Sequence, residues 1–305
     1  MRRVTAVAAL ALVALVAAAL LPGPHGTAVP RFGVARIARL ASPVHPQGSH
    51  LMPLPGAAFA GPIKRYRVYA EHWNAHLASA AVSLQAALVE GSRNAAKREW
   101  ERAFADYLHL GPVRGLLPAA LMRRLAGMPP TSGGRDFTGL HRIERGLWTD
   151  ASLRRLVPVA TDLQRAIARA QRLLPRVRIT PLAYGRRAHE ILQDARRDLL
   201  NGVQVPWSGE GLLGTAAAVA TTREVVLTLT PLLQGRGGTL DEIQNWLLTL
   251  QQATDGVRRR DGAWPTLGQL SRFQLGRLDE TLSGALSAVA LIPGILEGST
   301  VAASP

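Results

Sequence analysis

Two residues of this 305-residue chain, His141 and Glu144, combine side-chain types and a spacing that could do chemistry. They lie three positions apart in the segment Asp136–Trp148, which reads as the start of a helix. Residues at this spacing share one helix face, with Cβ atoms about 5–6 Å apart. An imidazole and a carboxylate held side by side can share a metal ion or transfer a proton. The simpler alternative is a hydrogen-bonded pair on a solvated face.

A second pair, His72 and His76, has the H-x-x-x-H spacing that can chelate a metal ion. It lacks the H-E-x-x-H pattern of zinc proteases. Trp73 and Leu77 belong to the apolar stripe of the same helix, so the two histidines lie on the flank of that stripe. A solvated pair without a ligand is the simpler interpretation.

The elements that must position these residues are helices. From Pro62 onward apolar residues recur at intervals of three and four, and no period-two alternation is long enough for a strand. The predicted helices are one that ends at Gly91, one that carries His141, and 92–109, 112–127, 151–174, 180–201, 211–234, 239–260 and 267–297. We therefore expect an all-α fold, either an antiparallel helix bundle or two packed helix bundles.

The N-terminus is typical of an exported protein. Arg2 and Arg3 precede an apolar run from Val4 to Leu21 and then a Pro-Gly-Pro break. This pattern predicts a signal peptide at 1–28, or an uncleaved N-terminal membrane anchor. We expect a linker at 29–61, a helical domain at 62–299 and a tail at 300–305, in a periplasmic or other extracytoplasmic location. The chain has no cysteine, so its core must hold it together without disulfides.

The net charge of +15 is high enough to suggest nucleic-acid binding, but the distribution of the basic residues does not favour it. Of the 36 basic residues 34 are arginine, and they are scattered rather than interleaved with aromatic residues. We expect no nucleic-acid partner. A basic surface can still contact anionic lipid or cell-wall polymer.

The sequence around His141 resembles the imelysin-like family, whose signature is G-x-H-x-x-E. Here the signature is Gly139, His141 and Glu144, and the closest branch contains the iron-uptake proteins EfeO and EfeM. Further likeness lies at Tyr66–Tyr69, Ala95–Tyr107, Ile179–Gly185 and Arg258–Gly262. Since 29–61 leaves no room for the cupredoxin domain of many EfeO proteins, the shorter EfeM type is the nearer match.

The resemblance implies that His141 and Glu144 are metal ligands, but other ligands of the family are missing. Where EfeO-like proteins have Tyr-Glu-x-Ile-Glu-Pro, this chain has Tyr107–Pro112, without either carboxylate. Where they have Tyr-Ser-His-Thr-Asp-Leu, the stretch Val205–Thr215 lacks the His and the Asp. The substitutes that we consider are His109, Glu190 and Glu210.

The family implies a non-enzymatic protein that binds iron, with copper or zinc as alternatives, and delivers it to a membrane iron permease. One alternative is a paralogue with a decayed metal site that acts as a scaffold or binds a partner. Another is a metal-dependent peptidase, which would need a general base and a polarised water beside His141 and Glu144.

Overall fold

The protein is all-α, as the sequence predicts. The computed structural model describes residues 51–127 and 137–298, and these contain no β-strand. Their ten α-helices are α1 Ala60–Val89, α2 Arg93–His109, α3 Ala119–Leu125, α4 Gly139–Trp148, α5 Val157–Leu173, α6 Pro181–Asp194, α7 Gly211–Leu233, α8 Leu240–Asp255, α9 Arg272–Val289 and α10 Ile292–Glu297.

One continuous hydrophobic core runs through the helices. The connection Glu90–Ser92 is so short that α1 and α2 must pack antiparallel, and α5 lies against α1. Helix α7 contacts α2, α6 and α8, while α9 packs on α8. Each of these helices contributes buried residues to this main cluster, and a small second cluster joins Leu212, Ala253, Val257 and Leu278, so a single bundle describes the domain better than two separate ones.

Several of the predicted helices are interrupted, and at two of the breaks proline or a cap gives the reason. The predicted helix 112–127 consists of a 3₁₀ helix at Gly111–Leu116 and then α3, because Pro118 forces Leu117 into an extended conformation. The predicted helix 267–297 begins with a 3₁₀ turn at Leu267–Gln269. Helix α9 starts afresh at Ser271, whose hydroxyl accepts from the backbone N–H of Gln274.

Within residues 51–127 and 137–298, two helical stretches, Gly211–Leu233 and Arg272–Glu297, are long and apolar enough to cross a membrane by length and composition alone. In the folded protein 67% of the apolar window of the first is buried against other helices. Helix α7 is therefore best described as a core helix of the bundle.

The predicted signal segment 1–28 and the predicted tail 300–305 lie outside the described residues. The end of the predicted linker, 51–61, is packed against the helices. Phe59 is buried in the core, and the backbone N–H of Leu54 donates to the carbonyl of Leu296. The folded domain thus includes residues 51–61, before the predicted start at Pro62.

Candidate metal centre

Helix α4 places His141 and Glu144 side by side in the interior. Their exposed fractions are 4% and 0%. His141 Nδ1 and Glu144 Oε2 are 3.6 Å apart, and neither atom has a hydrogen-bond partner among the described residues. This separation is too long for a hydrogen bond. It is close to the roughly 3.0–3.5 Å that separates two ligand atoms bound to one ion at about 2.0–2.2 Å.

The other carboxylate oxygen of Glu144 is fixed by the loop before α7. Oε1 accepts hydrogen bonds from the backbone N–H of Trp207 at 3.2 Å, the backbone N–H of Ser208 at 2.9 Å and the Ser208 hydroxyl at 2.8 Å. These three donors satisfy Oε1 and orient the carboxylate, while Oε2 stays unpaired. Outer contacts of this kind are the usual way in which a protein orients a metal-binding carboxylate.

The start of α4 depends on Gly139. Its φ is +57°, and an added Cβ would lie 2.3 Å from the carbonyl oxygen of Leu125. Only glycine combines this conformation with so close an approach. The Thr138 hydroxyl does not cap α4 but donates to the carbonyl of Arg123 at 2.7 Å, which ties the start of α4 to α3.

Helix α2 holds α4 along the rest of its length. The indole N–H of Trp100 donates to the carbonyl of Leu140 at 2.8 Å. The Arg93 guanidinium donates to three carbonyl oxygens at the end of α4 and just beyond it, those of Gly146, Leu147 and Ala151. A cation at the C-terminal end of a helix also interacts favourably with the helix dipole. The position of His141 and Glu144 is therefore set by α2 as well as α4.

The loop before α7, which donates hydrogen bonds to Glu144, also contacts α4 through aromatic side chains. The Arg145 guanidinium lies 5.8 Å from the ring centroids of both Phe137 and Trp207, which are 5.7 Å apart. These are cation–π distances. They keep the backbone donors of the loop over Glu144.

Glu210 lies close enough to two other carboxylates, Glu144 and Glu101, to interact with them electrostatically. Glu210, at the N-terminal end of α7, is partly buried, and burial together with Glu101 and Glu144 raises its pKa to about 7. Burial also raises the pKa of Glu101, although Arg98 and Lys97 act in the opposite direction. Neighbouring carboxylates repel one another when both are ionised. A bound cation offsets this repulsion and stabilises their ionised forms.

Glu101 is the one member of this group that sequence reasoning missed. It is a lone carboxylate on α2, next to Trp100, with no motif around it. It comes close to Glu210 only because α2 packs against both α4 and α7. The sequence carries no local signal for such a contact between helices.

The other two residues considered as substitutes lie elsewhere. Glu190 forms an ion pair with Arg187 at 2.6 Å on α6, and its side chain is 41% exposed. His109 is at the end of α2, eight residues beyond Glu101 and thus about 12 Å along the helix axis. Neither residue is joined to His141 and Glu144 by any contact in the described part of the chain.

His109 has an environment of its own. Its Nδ1 is 2.8 Å from the Tyr69 hydroxyl and 3.1 Å from that of Thr221, and its ring stacks on Trp73 with centroids 3.7 Å apart. Burial lowers the pKa of His109 to about 4, so its imidazole is neutral at pH 7. It lines a cavity of about 250 Å³ together with residues of α7 and α8, including Gln251.

Across residues 51–127 and 137–298, no three or more His, Cys, Asp or Glu side chains are arranged around a common point that could hold a metal ion. The structure brings His141 and Glu144 together, with Glu210 near enough to Glu144 to interact with it electrostatically. It does not gather the five predicted residues His141, Glu144, His109, Glu190 and Glu210 into one group.

Comparison with known proteins agrees with the G-x-H-x-x-E signature of α4. The family model of imelysin matches residues 62–255, from the start of α1 to the end of α8. A search of curated proteins found no match to the chain. The matched region covers more than half of the sequence and includes His141, Glu144 and Glu210, so the chain belongs to the imelysin family.

Proposed function

We propose that this protein is an exported iron-binding protein similar to EfeO and EfeM, which delivers its ion to a membrane permease. The imelysin family is associated with iron uptake in general. Iron is the cargo in this proposal, so binding and release suffice and no bond need be made or broken. The signal-like segment that begins with Arg2 and Arg3 supports export.

The observation that carries the proposal is that two interior atoms, His141 Nδ1 and Glu144 Oε2, face one another without a hydrogen bond. A buried polar group without a partner costs about 1–3 kcal/mol, so two of them 3.6 Å apart require an explanation. One cation bound to both atoms would satisfy them together. A nitrogen and an oxygen donor suit iron, manganese, zinc or copper, and the choice of iron rests on the family.

Glu210 is the third group that we assign to ion binding. It is more exposed than His141 and Glu144, and it stands at the end of the loop that holds Glu144. In this proposal the ion first meets the Glu210 carboxylate and then reaches the buried pair. A cation would stabilise the ionised form of Glu210, whose pKa is raised to about 7 by burial and by Glu101 and Glu144.

A scaffold role is the second candidate, and one observation favours it. The described residues hold no preformed group of three ligands, whereas a structural metal site normally has four. In that case the chain has kept the family's fold, with His141 and Glu144 as remnants of a site, and binds a partner instead.

Calorimetric titration of the protein with ferrous, ferric, cupric and zinc ions separates the two candidates. We expect stoichiometric binding that His141→Ala and Glu144→Ala each weaken by at least about tenfold, because each removes a donor atom. Glu210→Gln should weaken binding less, since it removes a charge at the edge of the site.

The matched control is Glu190→Ala, which removes a carboxylate that is paired with Arg187 away from the site. It should leave the affinity unchanged. Circular dichroism of each variant checks that a buried substitution has not unfolded the chain. Absence of binding, or binding that is the same in folded His141→Ala and Glu144→Ala, would favour the scaffold role.

A further inference from the structure

The second histidine pair of the sequence, His72 and His76, has no part in the site on α4. Both residues are exposed on α1, and their ring centroids are 4.4 Å apart with an interplanar angle of 46°. The Trp73 ring lies beside both, with its centroid 5.6 Å from that of His72 and 5.4 Å from that of His76.

The spacing of the two rings fits a shared ion. Two imidazoles bound to one ion at about 2.0–2.1 Å have ring centroids about 4.5–5 Å apart. The observed 4.4 Å therefore requires only a small rotation of exposed side chains. Among the described residues neither imidazole takes part in an ion pair or a side-chain hydrogen bond, so ion binding would break neither kind of interaction.

The backbone beneath the pair is rigid, which limits the entropic cost of chelation. Helix α1 has 30 residues and packs along α2, with Leu77 and Ala80 fully buried in the core. Trp73 stacks on His109, at 3.7 Å between centroids. The two histidines therefore project from a fixed turn of helix.

A carboxylate contributes negative charge nearby. Asp106 on α2 is nearly buried, and burial raises its pKa to about 6, while its interaction with His72 and Arg102 acts in the opposite direction. A cation close to His72 would be attracted to the ionised Asp106. Because Asp106 is not grouped with both histidines around a common point, water would complete the coordination.

We propose that His72 and His76 form a surface site for a divalent transition-metal ion of the copper and zinc type, separate from the site on α4. Two imidazole nitrogens and water suit Cu²⁺, Ni²⁺ and Zn²⁺ better than hard cations. The pair thus differs from His141 and Glu144 in its donor set and in its exposure.

The test is titration with Cu²⁺ and with Zn²⁺, each alone, of protein carrying His141→Gln and Glu144→Gln. These near-isosteric changes remove the donors of the other site. We expect one remaining ion per chain, and His76→Gln should weaken its binding at least about tenfold because a single imidazole cannot chelate. The matched control is His189→Gln, which replaces a histidine on α6. It should leave the affinity for both ions unchanged.

Fluorescence gives a second readout in the otherwise unchanged chain, so the test does not depend on the folding of the double variant. Cu²⁺ bound beside Trp73 should quench its emission. The quenching should be weaker in His76→Gln and in Trp73→Phe than in the unchanged chain, and only quenching by an ion bound on α4 should remain. Unchanged affinity in His76→Gln, undiminished quenching in Trp73→Phe, or no binding of Cu²⁺ up to about 1 mM would each overturn the proposal.

Discussion

Glu210 is the residue whose ionisation depends most on the neighbouring carboxylates of the site. Its pKa is raised to about 7, so the folded protein binds more protons between about pH 4.5 and pH 7 than the unfolded chain. The contribution of Glu210 to stability is therefore fully present below about pH 4.5 and is lost as the pH rises through about 7. The loss is on the order of 2–3 kcal/mol.

We expect Glu210→Gln to remove this loss, because the amide does not ionise. In urea unfolding at a series of pH values, the variant should match the unchanged protein near pH 4.5 and exceed its stability at pH 8. His109, whose pKa is lowered to about 4, makes stability rise with pH between about 4 and 6.5, and Asp106 acts oppositely. The contributions of His109 and Asp106 are the same in the variant and in the unchanged protein, so they cancel in the difference between the two free energies of unfolding. If the free energy of unfolding changed with pH in the same way in both proteins, the assigned environment of Glu210 would be contradicted.

Sequence reasoning found part of the site at this scale. The spacing of His141 and Glu144 predicts that they share a helix face, because that depends only on helix geometry. The contributions of Ser208 and Glu101 could not be predicted, since they follow from how a loop and α2 meet α4. The separate position of His109 likewise depends on Tyr69 and Thr221, which are distant in sequence.

At the scale of elements, the site depends on where α4 begins. Gly139→Ala would place a Cβ 2.3 Å from the Leu125 carbonyl oxygen and would force a left-handed conformation on alanine. The conformation alone costs about 1–2 kcal/mol, and the contact with backbone adds to it. We expect a loss of more than about 2 kcal/mol in the free energy of unfolding, measured with urea.

Gly276→Ala is the matched control for this change. Gly276 lies within α9, and no atom of the neighbouring elements lies within 4 Å of the point that an added Cβ would occupy. The same substitution there should be neutral or should stabilise by up to about 1 kcal/mol. Equal stability of the two variants would show that Gly139 does not set the start of α4.

The helices themselves were largely predictable because their apolar stripes and glycine stops are local. Helix α2 and helix α7 differ from the predicted ranges by one residue at one end. Two of the errors lie where local signals were passed over, at Pro118 and at the cap formed by Ser271 and Gln274. Both signals are present in the sequence, so these breaks could have been predicted. Two other errors are helix ends, since α8 ends at Asp255 instead of 260 and α5 begins at Val157 instead of 151.

At the scale of the whole molecule, the residues matched by the family model are fewer than the residues that pack into the folded domain. The match stops at residue 255, but α9 and α10 contribute Leu282, Val289 and Ile292 to the same core. On the other side Phe59 joins that core before the match begins. The imelysin domain of this chain, as a physical unit, therefore includes helices outside the matched region.

The most direct test of an ion site on α4 is anomalous diffraction at the iron edge from crystals of the iron-loaded protein. We expect a peak within about 2.0–2.3 Å of both His141 Nδ1 and Glu144 Oε2, with the Glu210 carboxylate turned towards it. A peak only at another position, such as His72 and His76, or no peak at full iron loading in solution, would contradict the proposed site.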